Sequence, residues 1–180
     1  MGVAAKKLTW EDIKDWPEHH GRTEIVDGHL VMSPVASPDH QWACSNLGAL
    51  VLPFVRERDL GYFFSSPIHV ILDEHVHYEP DLSFVAKGRM ADRRAPFRGA
   101  PDLVIEVLSP SNREHDTITK FRDYERYGVR EYWLVDVDAR WIEVWFLEAA
   151  KYRSLGRFAP GQRVVTRVLN GLDLDPAQVF

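Results

Sequence analysis

Hydrophobic and polar positions along this chain follow several different periods, and each period predicts a different element. Leu103 to Leu108 is apolar at every position but one and is closed by Ser109-Pro110. That is the pattern of a central strand covered on both faces. Thr23-Glu-Ile-Val and His29-Leu-Val-Met flank Asp27-Gly28, a dipeptide suited to a two-residue primed turn, and predict a β-hairpin. Trp42, Leu47, Leu50, Val51, Phe54 and Val55 recur at helical spacing after Ser37-Pro38 and predict a long helix. Thr9 and Asp12 form a capping pair for a short helix that ends before Pro17. Strands are expected over 62–65, 68–72 and 78–85, the last two joined across 73–77. After Gly128 the pattern predicts an antiparallel meander over 131–136, 141–147, 151–155 and 163–166, with a turn at Val137-Asp138. The tail Gly171-Leu-Asp-Leu-Asp is expected to dock by its leucines.

The residues between the central strand and the meander predict a helix from Asp116, as its cap, to Tyr127, with Gly128 as its stop. At about 100° per residue, Ile118, Phe121, Tyr124 and Tyr127 share the core-facing side. Arg122, Asp123, Glu125 and Arg126 cover the opposite side, and Lys120 projects at the margin of the core face. Glu106 is the one polar interruption of the central strand. An ionised carboxylate buried there needs a cation, a metal or a hydrogen-bond network beside it. Asp81 leaves the same face of its strand as Ser83, opposite Leu82 and Phe84.

Two acids on neighbouring strands with an inward lysine suit phosphodiester cleavage. Asp81 and Glu106 supply hard oxygen ligands for Mg²⁺, and the ion activates a bound water. Lys120 holds that water or stabilises the transition state. The competing reading is structural: a buried ion pair of the two acids with Arg or Lys, and a Lys120 stem lying along apolar surface.

Composition narrows the setting. The chain has 180 residues, expected to form one domain over 1–180, with 45% hydrophobic and 27% charged positions. A net charge of −5 means that any contact with nucleic acid is local. The local candidate is a basic loop of Lys87, Arg89, Arg93, Arg94 and Arg98 against the single acid Asp92. Cys44 is the only cysteine, which excludes an internal disulfide and a Cys-based zinc site. No run approaches the roughly 18 apolar residues of a membrane span, and a cytoplasmic protein with no membrane partner is expected. His75-Val-His77 alternates like a metal motif but is expected in a turn without matching acids. No serine-hydrolase elbow, P-loop or dinucleotide fingerprint occurs. Trp133, Trp141 and Trp145 on the meander suit a core or a dimer interface, and a homodimer is expected.

Pro80-Asp81, Ala100-Pro-Asp-Leu-Val-Ile-Glu-Val-Leu-Ser-Pro-Ser, Asp116-x-x-x-Lys120-x-x-x-Tyr124 and Gly128-Val-Arg-Glu-Tyr-Trp-Leu-Val-Asp136 together resemble the Uma-type branch of the PD-(D/E)xK nuclease superfamily. Thr23-Glu-Ile-Val-Asp-Gly-His-Leu and Ser33-Pro34 through His40 resemble it too. The resemblance implies a mixed α/β restriction-endonuclease-like fold. Its α-β-β-β-α-β core would carry an N-terminal hairpin and a C-terminal meander. It implies a nuclease with Asp81 and Glu106 as the motif acids, and with the acids read as metal ligands the expected activity is Mg²⁺- or Mn²⁺-dependent cleavage of DNA. In (D/E)xK the lysine stands two residues after the acid, where this chain has Leu108; Lys120 from the following helix takes its place. Glu24, His40, Asp102 and Tyr124 are additional candidates for the site. Three of them have a plainer reading: a surface charge for Glu24, a packed or solvated ring for His40, a cap or loop pairing for Asp102. The alternative to the enzyme is a silent nucleic-acid-binding or homodimeric assembly module.

Overall fold

The structure, a computed structural model, describes residues 6–16 and 22–180. The Thr9 backbone N–H and hydroxyl both donate to Asp12 Oδ2 (2.9 and 2.8 Å), starting the short helix α1 (Trp10–Ile13). The expected stop at Pro17 lies outside the described residues. The Asp27-Gly28 hairpin forms as predicted, with β1 (Arg22–Val26) antiparallel to β2 (His29–Ser33). Ser37 accepts from the His40 N–H at 3.2 Å and caps α2 (Pro38–Glu57). Leu47, Val51, Phe54 and Val55 of α2 are buried, whereas Trp42 is 63% exposed and does not join the core stripe.

The next strands are β3 (Gly61–Phe64), β4 (Val70–Asp73), β5 (Val76–Tyr78) and β6 (Leu82–Ala86). The stretch expected as a single strand over 78–85 is therefore split. Pro80 has no N–H to give to a ladder, and the chain crosses there from one sheet to the other. β5 pairs with β4 and β1, while β6 pairs with β3 and with β8 (Leu103–Leu108). The β4–β5 turn is Glu74-His75, tighter than expected because a register shift between Ile71 and Asp73 absorbs a residue, so His77 belongs to a strand. The short β7 (Phe97–Arg98) lies parallel to β4.

One sheet has the order β2-β1-β5-β4-β7. The other runs β11-β10-β9-β8-β6-β3, adding β9 (Glu131–Asp136), β10 (Trp141–Glu148) and β11 (Lys151–Phe158). β8 is parallel to β9 and antiparallel to β6, and every residue of β8 is buried, as its apolar run predicts. α2 packs with Leu82, Phe84, Leu103, Ile105 and Trp133 into the larger core. Val104, Leu108, Tyr124 and Tyr132 form a second core on the opposite side of β8. Residues 163–166 form no strand; Val164 instead bonds Leu174 O at 2.9 Å, and Leu174 is buried as the tail reading expects.

Between Ser109 and Gly128 the helix differs from expectation. His115–Lys120 is π-helical and continues directly into α3 (Phe121–Tyr127), where Gly128 (φ 88°) closes the helix in the left-handed region. The wider π turn changes the phase of the side chains. Ile118, expected inward, is 60% exposed; Asp123, expected outward, is buried. Asp116 lies within the π segment, buried, instead of capping the helix.

Ile105 stands at the centre of the larger core with no exposure. Ile105→Ala is expected to lower stability by about 2–5 kcal/mol, read as a lower urea midpoint at unchanged slope.

Candidate active site

Antiparallel pairing of Leu82 with Ile105 and Ser83 with Val104 sets Asp81 opposite Glu106 one step beyond. Both acids leave the face covered by the π segment and α3. The Asp81 N–H donates to Glu106 Oε2 at 3.3 Å, and the Val107 N–H donates to Asp81 Oδ2 at 2.8 Å. The sequence prediction that these two acids converge is met by the geometry.

Lys120 reaches the same place. Its Nζ lies 3.0 Å from Glu106 Oε1, 3.0 Å from Glu24 Oε1 and 3.2 Å from Asp116 Oδ1. It is 3% exposed, so it sits in the interior and not at the margin expected from an α-helical wheel. The three carboxylates hold its ammonium charged well above the usual range despite burial. Tyr124 donates its hydroxyl to Glu106 Oε1 at 3.1 Å. Glu24 is fully buried, which removes its reading as a surface charge; it accepts from His115 Nε2 at 2.9 Å and from the Glu79 N–H at 3.1 Å. Lys120 and these donors overcome burial and hold Glu24 ionised down to about 2.

His40 Nε2 lies 3.2 Å from Asp81 Oδ2, with its Nδ1 3.7 Å from Cys44 Sγ. His40, Arg22 and the Val107 N–H hold Asp81 down at about 2 against burial. The His40, Cys44 and Asp81 ligand atoms are close enough for a metal. Burial first, and then Asp81, pushes the Cys44 thiol well above its ordinary range, so without a metal it is protonated. Asp102 is buried elsewhere, against Arg89 (2.6 Å), Arg130 (3.4 Å) and the Ala86 N–H (2.8 Å). Its partners are those of the loop-pairing reading.

Arg22 was not singled out by sequence. Its guanidinium bonds Asp81 Oδ1 and lies 3.7 Å from Glu106 Oε2, bridging the two acids. The signal was there: Arg22 stands two residues before Glu24 on β1, so both side chains leave one face. Arg22 and His40 line a cleft of about 230 Å³ with Ser33, Gln41, Ser109 and Asn112. His115 also carried no periodic signal, because the π segment is not legible as one.

Four buried acids (Glu24, Asp81, Glu106 and Asp116) thus face two firm cations, Arg22 and Lys120. Burial, with Asp116 and Asp81 nearby, raises Glu106 to about 8. Asp116 is raised as well, by burial first and by Asp81 and Glu24.

A family described as "Uma2: Putative restriction endonuclease" matches residues 10–177. This chain belongs to the Uma2 family. A solved structure from Anabaena variabilis ATCC 29413, described as "a putative nuclease belonging to DUF820", matches it with a TM-score of 0.80. The match covers 96% of this chain and 97% of that one at 19% identity, which establishes a shared fold. Among curated proteins none matches. The restriction-endonuclease-like fold expected from the motifs is the fold of this Uma2 chain.

Of the expected basic contacts, Arg89 is engaged with Asp102 and Arg98 lies 3.4 Å from Glu11. Arg93 lies over the Tyr62 ring, and among the described residues neither Arg93 nor Arg94 pairs with a carboxylate. Trp133 is buried and bonds Glu131, Trp141 lies under Arg157, and Trp145 packs on Phe121, so these aromatics are engaged within the chain. No helix among the described residues is long and apolar enough to cross a membrane.

The raised Glu106 carboxyl has a stability signature. Glu106 binds its proton more tightly folded (about 8) than at its ordinary 4.5, so proton loss on raising pH between those values weakens the fold. His77, lowered to about 4 by burial, acts oppositely, but only below its ordinary 6.5. Between pH 6.5 and 8, in chelator, stability is expected to fall by up to about 1.4 kcal/mol per pH unit. Urea titrations at several pH values read the slope, and Glu106→Gln is expected to flatten it.

Proposed function

We propose that this chain is a Mg²⁺- or Mn²⁺-dependent nuclease that hydrolyses phosphodiester bonds in DNA, with its centre at Asp81 and Glu106. The single observation that carries the reading is the charge surplus: four buried acids against two cations, beside a cleft open to water. A divalent ion would neutralise that surplus in place of the proton that Glu106 otherwise keeps. The donor set fits it, because the carboxylates of Asp81 and Glu106 are hard oxygen ligands already bridged by one cationic group, Arg22. When bound, such an ion would activate water and neutralise charge on the scissile phosphate.

The protein groups divide the remaining work. Asp81 is ionised and oriented by His40 and by the Val107 N–H. Lys120 and Tyr124 fix one oxygen of Glu106 and leave the other toward Arg22 and Asp81. Lys120 is too enclosed to meet substrate here, so its role in this reading is to position Glu106. Arg22, at 17% exposure and on the cleft wall, is the cation placed to meet a phosphate. Arg93 and Arg94 provide further contacts to the DNA backbone.

Asp81→Asn and Glu106→Gln are each expected to lower Mg²⁺-dependent cleavage of plasmid DNA by about 10²–10³-fold, with the circular dichroism spectrum retained. Cleavage that survives both changes, or that persists in EDTA, defeats the proposal. The Arg22 bridge specifically favours a second reading, a DNA-binding module whose acids are neutralised internally. That module binds without turnover under any divalent metal. In either reading, replacing Arg93 and Arg94 by Ala is expected to weaken DNA binding regardless of sequence. The slope of log affinity against log salt should then fall by about 2, near 0.9 per phosphate contact.

A further inference from the structure

A second convergence of ligating side chains lies on the other sheet, at the open end of the β4–β5 hairpin. Pairing of Val70 with Tyr78 and Ile71 with His77 places His69 across from Glu79, with His77 on the same face as Glu79. His69 Nδ1 lies 3.2 Å from Glu79 Oε1 and 3.2 Å from His77 Nε2. Their ligand atoms all fall within 4.8 Å of one another. We propose that His69, His77 and Glu79 form a binding site for a divalent transition-metal ion, Zn²⁺ foremost, separate from the Asp81–Glu106 centre.

The spacing suits that ion. Bonds of about 2.0–2.1 Å in tetrahedral geometry hold two ligand atoms about 3.3 Å apart, close to both observed separations. Two imidazoles and a carboxylate favour Zn²⁺ over Mg²⁺ or Ca²⁺. Neutral rings do not satisfy the cluster by themselves. If His77 Nε2 carries the proton and donates it to His69 Nδ1, then Glu79 faces a lone pair. If His69 Nδ1 carries it, one N–H serves two acceptors and His77 holds its proton on Nδ1, which is buried without a partner. A cation meets all three lone pairs at once.

The surroundings hold the ligands in place. The Trp10 ring packs on both imidazoles, with centroids at 4.4 and 4.8 Å. Glu79 is tethered by its own N–H to Glu24. Burial keeps His77 neutral, the form that ligates. His69 is half-exposed and lines a cleft of about 380 Å³ with Trp10, Met90, Arg93 and Arg94. A fourth ligand, water or an anion, has access from that side.

Zinc uptake at fixed excess Mg²⁺ tests the site, read by equilibrium dialysis with metal analysis and by thermal melting. His77 is buried and its replacement endangers the fold, so the test uses His69→Ala and Glu79→Gln, with Glu106→Gln as the control for the other centre. Wild type and Glu106→Gln are expected to hold one Zn²⁺ per chain and to melt higher with it. His69→Ala and Glu79→Gln should bind it at least about 100-fold more weakly and lose the melting shift. No zinc held by the wild type means that a proton joins the three groups, and it overturns the proposal. Zinc kept by His69→Ala but lost by Glu106→Gln places the ion at the other centre and overturns it as well.

Discussion

The buried ammonium of Lys120 is the interaction on which the rest of the molecule turns. Its three carboxylate partners come from β1 (Glu24), β8 (Glu106) and the π segment (Asp116). One cation therefore ties the hairpin sheet, the central strand and the helix that follows it. Each charge is desolvated, so each depends on the others being present. Removing one member of such a cluster leaves an uncompensated charge, which costs far more than a surface pair returns. The same clasp fixes Glu106 relative to Asp81 and Arg22, so the arrangement that joins the two sheets also forms the candidate centre.

The π segment makes that clasp possible. In a regular α-helix from Asp116 to Tyr127, Lys120 stands at the edge of the core face and Ile118 within it. The wider turn sends Ile118 into solvent and brings Asp116, Lys120 and Tyr124 onto one inward line. A methylene-rich contact is given up for a charged one, the kind of local irregularity common at functional sites. Nothing in the hydrophobic pattern encodes it, because periodicity reports only the apolar stripe. An exposed isoleucine next to a buried lysine reads as noise in a helical wheel.

What was legible in the sequence divides along the same line. The Asp27-Gly28 hairpin, the Thr9–Asp12 capping box, the fully buried β8 and the Gly128 stop are local devices, each written in a few adjacent residues. Asp81 and Glu106 converge because strand alternation carries each to a known face and the motifs give the pairing. Arg22, His115 and the His69–Glu79 pair escaped notice for a different reason. Their partners lie on elements joined only by tertiary packing or by a hairpin register that a one-residue slip changes. Placing the β4–β5 turn three residues too wide was enough to assign His77 to a loop and hide its strand partner.

Charge accounts for what the site can exchange. With Arg22 and Lys120 as its only firm cations among the described residues, the cluster of four acids cannot be fully ionised and neutral together. Glu106, raised to about 8, shows how the interior answers: it keeps a proton near neutral pH. A divalent ion held by Asp81 and Glu106 would perform the same neutralisation without a proton and would supply an activated water. Arg22 lies between the two acids with a single charge, one fewer than the two carboxylates it bridges. That imbalance is the physical basis of the metal-dependent reading, since a closed ion pair would match its buried acids with as many cations.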